Sequence, residues 1–137
     1  MSDLLFSLPL RVYIEDTDAG GIVYYVNYLK FMERARTEWL RTFGYQHYTL
    51  AEGNYLFVVQ SASVRYVTPA RIDDELQVEV QLSKLGRASF VFHQRVLRAN
   101  ELICEADVRV GCIQENSFKP TSMPDDLYEK IKWEMPA

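Results

Sequence analysis

An α+β fold, with one antiparallel sheet of five strands curled around a single long helix, is predicted by three features of this sequence. Apolar side chains recur at helical spacing through residues 27–43 and cover about half of the circumference, a wider face than a surface helix needs. Five other segments, residues 8–15, 55–67, 76–85, 88–98 and 102–113, carry the alternation or the valine and aromatic richness of strands. The connections at 68–74, 86–87 and 99–101 are short enough for antiparallel neighbours. One helix cannot cover both faces of such a sheet, so the sheet is expected to wrap it.

In residues 8–15, Leu10, Val12 and Ile14 fall on one face and Arg11, Tyr13 and Glu15 on the other, the period of a half-buried strand. The run Asp16-Thr17-Asp18-Ala19-Gly20-Gly21 then offers carboxylates and free φ angles instead of a packable surface, so it reads as a loop. Asn27 is placed to cap the helix and Gly44 to end it. Tyr28, Phe31, Met32, Ala35, Trp39, Leu40 and Phe43 form the apolar arc. Arg36 lies inside that arc, where an unpaired charge is costly, so it needs a carboxylate or carbonyl partner, with a structural salt bridge favoured over a ligand contact. The tail, with Pro120 and Pro124, is expected to end in a short helical turn at residues 126–132.

A chain of 137 residues suits one domain spanning 1–137, and 48% hydrophobic content supplies a core and excludes general disorder. The net charge of −4 disfavours nucleic acid as a partner. No apolar run approaches the roughly 20 residues of a membrane span, and the first six residues lack the basic and apolar regions of an export signal, so a cytoplasmic location is expected. Cys104 and Cys112 share one strand at a separation of about 27 Å and cannot bridge. Two cysteines with two isolated histidines, His47 and His93, make no metal constellation, and both histidines read as structural.

The chemistry concentrates between Tyr13 and Arg36. Asp18 is flanked by glycines and lies just ahead of a helix, where unpaired N–H groups favour anions and can receive a developing oxyanion. On spacing alone such a turn serves more often as a capping device than as a catalyst. Asp16 reads as a turn carboxylate, and Glu33 as a salt-bridge partner that could instead face a cleft.

The residues Glu15-Asp16-Thr17-Asp18-Ala19-Gly20-Gly21-Ile22-Val23-Tyr24, the later Glu33-Arg34-Ala35-Arg36, and the Pro69-Ala70-Arg71-Ile72-Asp73-Asp74 turn closely resemble the YbgC-like acyl-CoA thioesterases. These are a branch of the 4-hydroxybenzoyl-CoA thioesterase family of hotdog folds, and the similarity runs from about Leu5 to Pro120. The resemblance implies a hydrolase of acyl-CoA thioesters that needs no cofactor or metal. It implies Asp18 as the catalytic carboxylate, acting as nucleophile or as general base, and the backbone N–H of Tyr25 as an oxyanion donor. Many members of the branch carry histidine where this chain has Tyr25, so an imidazole role does not transfer. Gly21, Phe57, Val58, Val59, Arg87 and Ser89 are the expected substrate-binding residues, the last two toward the nucleotide of CoA, with Arg71 and Lys84 as looser candidates. Acyl-CoA is the expected partner, an acyl carrier protein an alternative one, and a homodimer or homotetramer the expected assembly, formed by joining sheets edge to edge. The competing reading is a non-catalytic acyl-CoA or acyl-carrier-protein binding module. A hotdog dehydratase is a third, weakened because no histidine lies between residues 8 and 45.

Overall fold

The computed structural model describes residues 6–45 and 55–135. Along the chain run β1 (Phe6–Arg11), a 3₁₀ turn (Ile14–Asp16), α1 (Asn27–Arg41), β2 (Tyr55–Tyr66), β3 (Glu75–Leu85), β4 (Ser89–Arg98), β5 (Glu101–Gln114) and α2 (Asp125–Glu134). The five strands form one antiparallel sheet in the order β1-β3-β4-β5-β2.

Alternation in the strands sets which face meets the helix. Leu76, Val78, Val80 and Leu82 of β3, Phe90, Phe92, Gln94 and Val96 of β4, and Cys104, Ala106, Val108, Val110 and Cys112 of β5 are all buried. Their registers stack them in rows, for example Val78 beside Val96 and Val96 beside Cys104. Against this face lie Tyr28, Phe31, Met32, Ala35, Trp39 and Leu40 of α1. Trp39 centres the contact, with its ring edge-on to Phe92 at 5.4 Å and to Phe90 at 6.1 Å. Leu127 and Ile131 of α2 join the same core, so the expected helical turn is a ten-residue helix.

Three expectations about the chain path need correction. The first strand stops at Arg11, opposite Glu75 at the start of β3, because the partner strand ends there. Val12 stays buried, but the Tyr13 N–H donates to Asp16 Oδ2 at 2.8 Å and closes a turn that leaves Ile14 75% exposed. Asn27 is the first helical residue and not the cap; its side-chain Nδ2 donates to the Asp16 carbonyl at 2.8 Å instead. The helix ends at Arg41, with Gly44 at φ +86° turning the chain out. Finally, β2 and β3 are not neighbours: β2 pairs with β5, and residues 67–74 cross three strand spacings to reach β3. Eight extended residues reach roughly 26 Å, ample for the ~14 Å crossing.

Cys104 and Cys112 are buried and unbridged, and loss of hydration pushes their thiols up to about 12 and about 11. Among the described residues no helix is long and apolar enough to cross a membrane.

Candidate active site

The loop that carries Asp18 is fastened from three sides. Within it, the Asp18 N–H donates to the Ile22 carbonyl at 3.0 Å and the Gly21 N–H to the Asp18 carbonyl at 3.0 Å. Behind it, the 67–74 crossing segment accepts the Val23 N–H on the Ala70 carbonyl at 2.9 Å, while the Ala70 N–H donates to the Tyr28 hydroxyl at 3.1 Å. Ahead of it, the Tyr24 N–H donates to the Asp16 carbonyl at 3.0 Å. Asp16 therefore spends its carboxylate and its carbonyl on the turn, the role its position suggested.

Asp18 itself is exposed, and its Oδ1 accepts the Gly20 N–H at 2.9 Å. Its other carboxylate oxygen takes no hydrogen bond or ion pair among the described residues. A few residues on, the N–H groups of Tyr25 and Val26 precede α1 and find no acceptor among the described residues. One short loop thus supplies a carboxylate with a free oxygen and two unspent amide donors at the positive end of a helix. The Tyr25 ring is 57% exposed and packs edge-on against Tyr24 at 5.1 Å and Tyr66 at 5.8 Å, which anchors this loop to the end of β2.

Gly21 holds φ +78° with nothing within 4 Å of a Cβ built there, so the demand on this position is conformational alone. Gly21→Ala is expected to cost about 1–2 kcal/mol, the left-handed penalty of a side chain, and to slow turnover by misplacing Asp18. Urea unfolding checks the first effect and thiol release the second; an unchanged midpoint would show that the loop relaxes freely.

A second feature lies between the helix and the sheet, a cavity of about 170 Å³. Glu33, Arg36 and Thr37 of α1 give it a polar wall, and Phe57, Val59, Phe90 and Phe92 an apolar one. Phe57 and Val59 share a strand face and both line it, whereas Val58 points to the opposite face and does not. Arg36 is only 8% exposed, and its Nη1 donates to Gln94 Oε1 at 2.8 Å while Gln94 Nε2 donates to the Met32 carbonyl at 3.0 Å. The expected salt bridge is thus an amide carbonyl contact. Burial pulls the Arg36 pKa below its ordinary range, and the nearby Glu33 carboxylate partly restores it.

Arg87 lies against α2: its guanidinium stands 4.2 Å over the Tyr128 ring and 3.5 Å from Asp125 Oδ1. Ser89 opens β4 opposite Gly111, which in turn faces Val58. Arg71 is exposed beside the Asp18 loop through the Ile22 bridge, and Lys84 is exposed near the end of β3. His93 pairs with Asp107 at 3.0 Å across neighbouring strands, a surface contact, and His47 lies outside the described residues. Among the described residues no cluster of three or more metal-ligating side chains occurs.

The expected site residues therefore fall into two groups in one protomer. Asp18, Gly21 and Tyr25 sit by the Tyr66 end of β2, while Phe57, Val59, Arg87 and Ser89 sit toward its other end. Seven strand steps lead from Val59 to Tyr66, roughly 23 Å. Gln94 and Thr37 were missed, although glutamine at an inward position of an otherwise apolar strand face was a visible signal for a partner to Arg36.

Comparison with known proteins agrees with this fold. The profile of the thioesterase-like superfamily matches residues 12–131. The chain is 44% identical over 128 residues to the acyl-CoA thioesterase YbgC of Haemophilus influenzae, covering 93% of this chain and 94% of that one. It is 41% identical over 133 residues to the acyl-CoA thioester hydrolase YbgC of Escherichia coli O157:H7, covering 96% and 99%. The crystal structure of a probable thioesterase from Bartonella henselae superposes with a TM-score of 0.81 at 35% identity, covering 86% of this chain and 98% of that one. A five-stranded sheet wrapped around a helix thus stands within a matched profile, and the chain belongs to the thioesterase-like superfamily, in its YbgC branch.

Proposed function

We propose that this protein hydrolyses acyl-CoA thioesters to a free acid and CoA, through Asp18. The observation that carries the reading is the pairing, in one loop, of the half-free Asp18 carboxylate with the unspent N–H groups of Tyr25 and Val26. The amides receive the oxyanion that forms when the thioester carbonyl is attacked. Asp18 either attacks that carbon, giving a mixed anhydride that water then opens, or takes a proton from the attacking water. In both routes the thiolate of CoA leaves and a proton reaches it. A backbone donor persists whatever side chain follows Tyr24, so tyrosine in place of the branch's common histidine keeps this function.

The two separated groups become one site in a dimer. Among the described strands β2 is a long edge, with Val59 and Tyr66 exposed and a bulge between Val59 and Ser61, whereas the β1 edge is short and carries Pro9. Antiparallel pairing of β2 with its symmetry copy about the strand's middle sets the Tyr66 end of one protomer against the Val59 end of the other. The Asp18 loop then faces the partner's cavity, with Phe57 and Val59 around the acyl group, Gly21 shaping the loop, and Arg87 and Ser89 toward the nucleotide. Arg87 would exchange its loose contact with Asp125 for phosphate. The working unit is one domain per chain, 1–137, in the cytoplasm where CoA thioesters are made and used.

Thiol release from a panel of short, long and aromatic acyl-CoA substrates tests the activity; tight binding without release would favour the non-catalytic module. Complementation tests the shared site. Asp18→Asn chains and chains whose cavity is filled by Thr37→Trp are each expected to be inactive, while a refolded equal mixture recovers roughly a quarter of wild-type activity. No recovery in a mixture shown to contain mixed dimers places both groups in one protomer's site.

A further inference from the structure

The cavity between α1 and the sheet carries a charge that nothing in the proposed hydrolysis uses. Arg36 has five N–H donors, and the contact with Gln94 is the one hydrogen bond its side chain makes among the described residues. No carboxylate among the described residues pairs with it. Every fully enclosed side-chain nitrogen or oxygen in the described structure has a partner, so the remaining donors of Arg36 are not sealed off, and the residue lines the cavity. Glu33, one turn earlier and exposed, stands in the cavity lining as a solvated carboxylate, and among the described residues Arg36 is the only cation in that lining. A buried cation with no paired carboxylate is costly, and a carboxylate with two oxygens is the group that best offsets it.

Size points to the part of the substrate that enters. An apolar cavity of about 150 Å³ holds one benzene, so 170 Å³ holds an acyl portion of about four to six carbons. Resting on the thioesterase reading above, we propose that Arg36 binds a carboxylate at the far end of the acyl group, which makes short ω-carboxylated acyl-CoA thioesters the preferred substrates. Gln94 aims the guanidinium by holding Nη1, and Phe92, 6.0 Å from the guanidinium carbon, backs it. A plain acyl chain of the same length desolvates the charge and returns nothing.

The test is thiol release from two matched pairs, butanoyl- with succinyl-CoA and hexanoyl- with adipoyl-CoA, by wild type and by Arg36→Met. Wild type is expected to favour the carboxylated member of at least one pair by about 10- to 100-fold in kcat/KM, the worth of a hydrogen bond to a charged group. Arg36→Met is expected to lose that preference, mainly through KM for the carboxylated member, while still releasing thiol from the plain one. Wild type treating both pairs alike, or favouring the plain members, overturns the proposal even if the variant fails to fold. So does a folded Arg36→Met that keeps the preference. Thiol release from the plain members with no carboxylate preference leaves the hydrolase reading standing, whereas no release from any of the four removes both.

Discussion

Asp18→Asn is expected to lower turnover of acyl-CoA by at least about a hundredfold while the protein folds and melts as wild type does. The substitution is nearly isosteric and keeps a side-chain oxygen for the Gly20 N–H, so the turn retains its 2.9 Å contact. The loop is further held by main-chain bonds, Asp18 to Ile22, Gly21 to Asp18 and Val23 to Ala70, that the side chain does not enter. What disappears is the negative oxygen, needed equally by a nucleophile and by a base. Asp16→Asn supplies the contrast: its carboxylate closes the Tyr13 turn at 2.8 Å, and an amide can still accept there, so activity is expected to fall far less. Undiminished thiol release by purified Asp18→Asn would remove this carboxylate from the mechanism.

Gln94→Leu is expected to destabilise the fold by about 3 kcal/mol, roughly 10 °C in Tm. Gln94 is fully buried and bridges Arg36 to the Met32 carbonyl of α1, so leucine at this position strips a hydrogen bond from a buried cation. The direction reverses in the pair. Arg36→Met combined with Gln94→Leu removes both polar partners at once and is expected to regain much of the loss. A urea-melt cycle over the two singles and the double checks this; additive losses would mean that the two side chains act on stability independently.

These two residues also mark how far the sequence could be read. Arg36 inside the apolar arc announced a buried cation from periodicity alone, and Gln94, two residues beyond Phe92 on an inward face, could have been named as its partner. That its acceptor is an amide and not a carboxylate depends on which strand faces which turn of the helix, a contact between residues 58 apart. The strands on either side of tight turns were legible to within about one residue, since alternation and turn chemistry are local. Residues 8–15 were not, because the alternation continues to Ile14 while the partner strand ends at Glu75.

By itself, then, the sequence determined the fold class, the helix and its buried face, the inertness of the two cysteines toward each other, and the loop on which Asp18 sits, all properties of short-range pattern and backbone freedom. Only the tertiary structure decided the strand order β1-β3-β4-β5-β2, the crossing segment that braces the Asp18 loop, the cavity with Arg36 in its wall, and the placement of the two groups of site residues at opposite ends of β2. The reason is that strand pairing and helix docking are chosen by burial summed over residues far apart in the chain, a quantity that no local window contains.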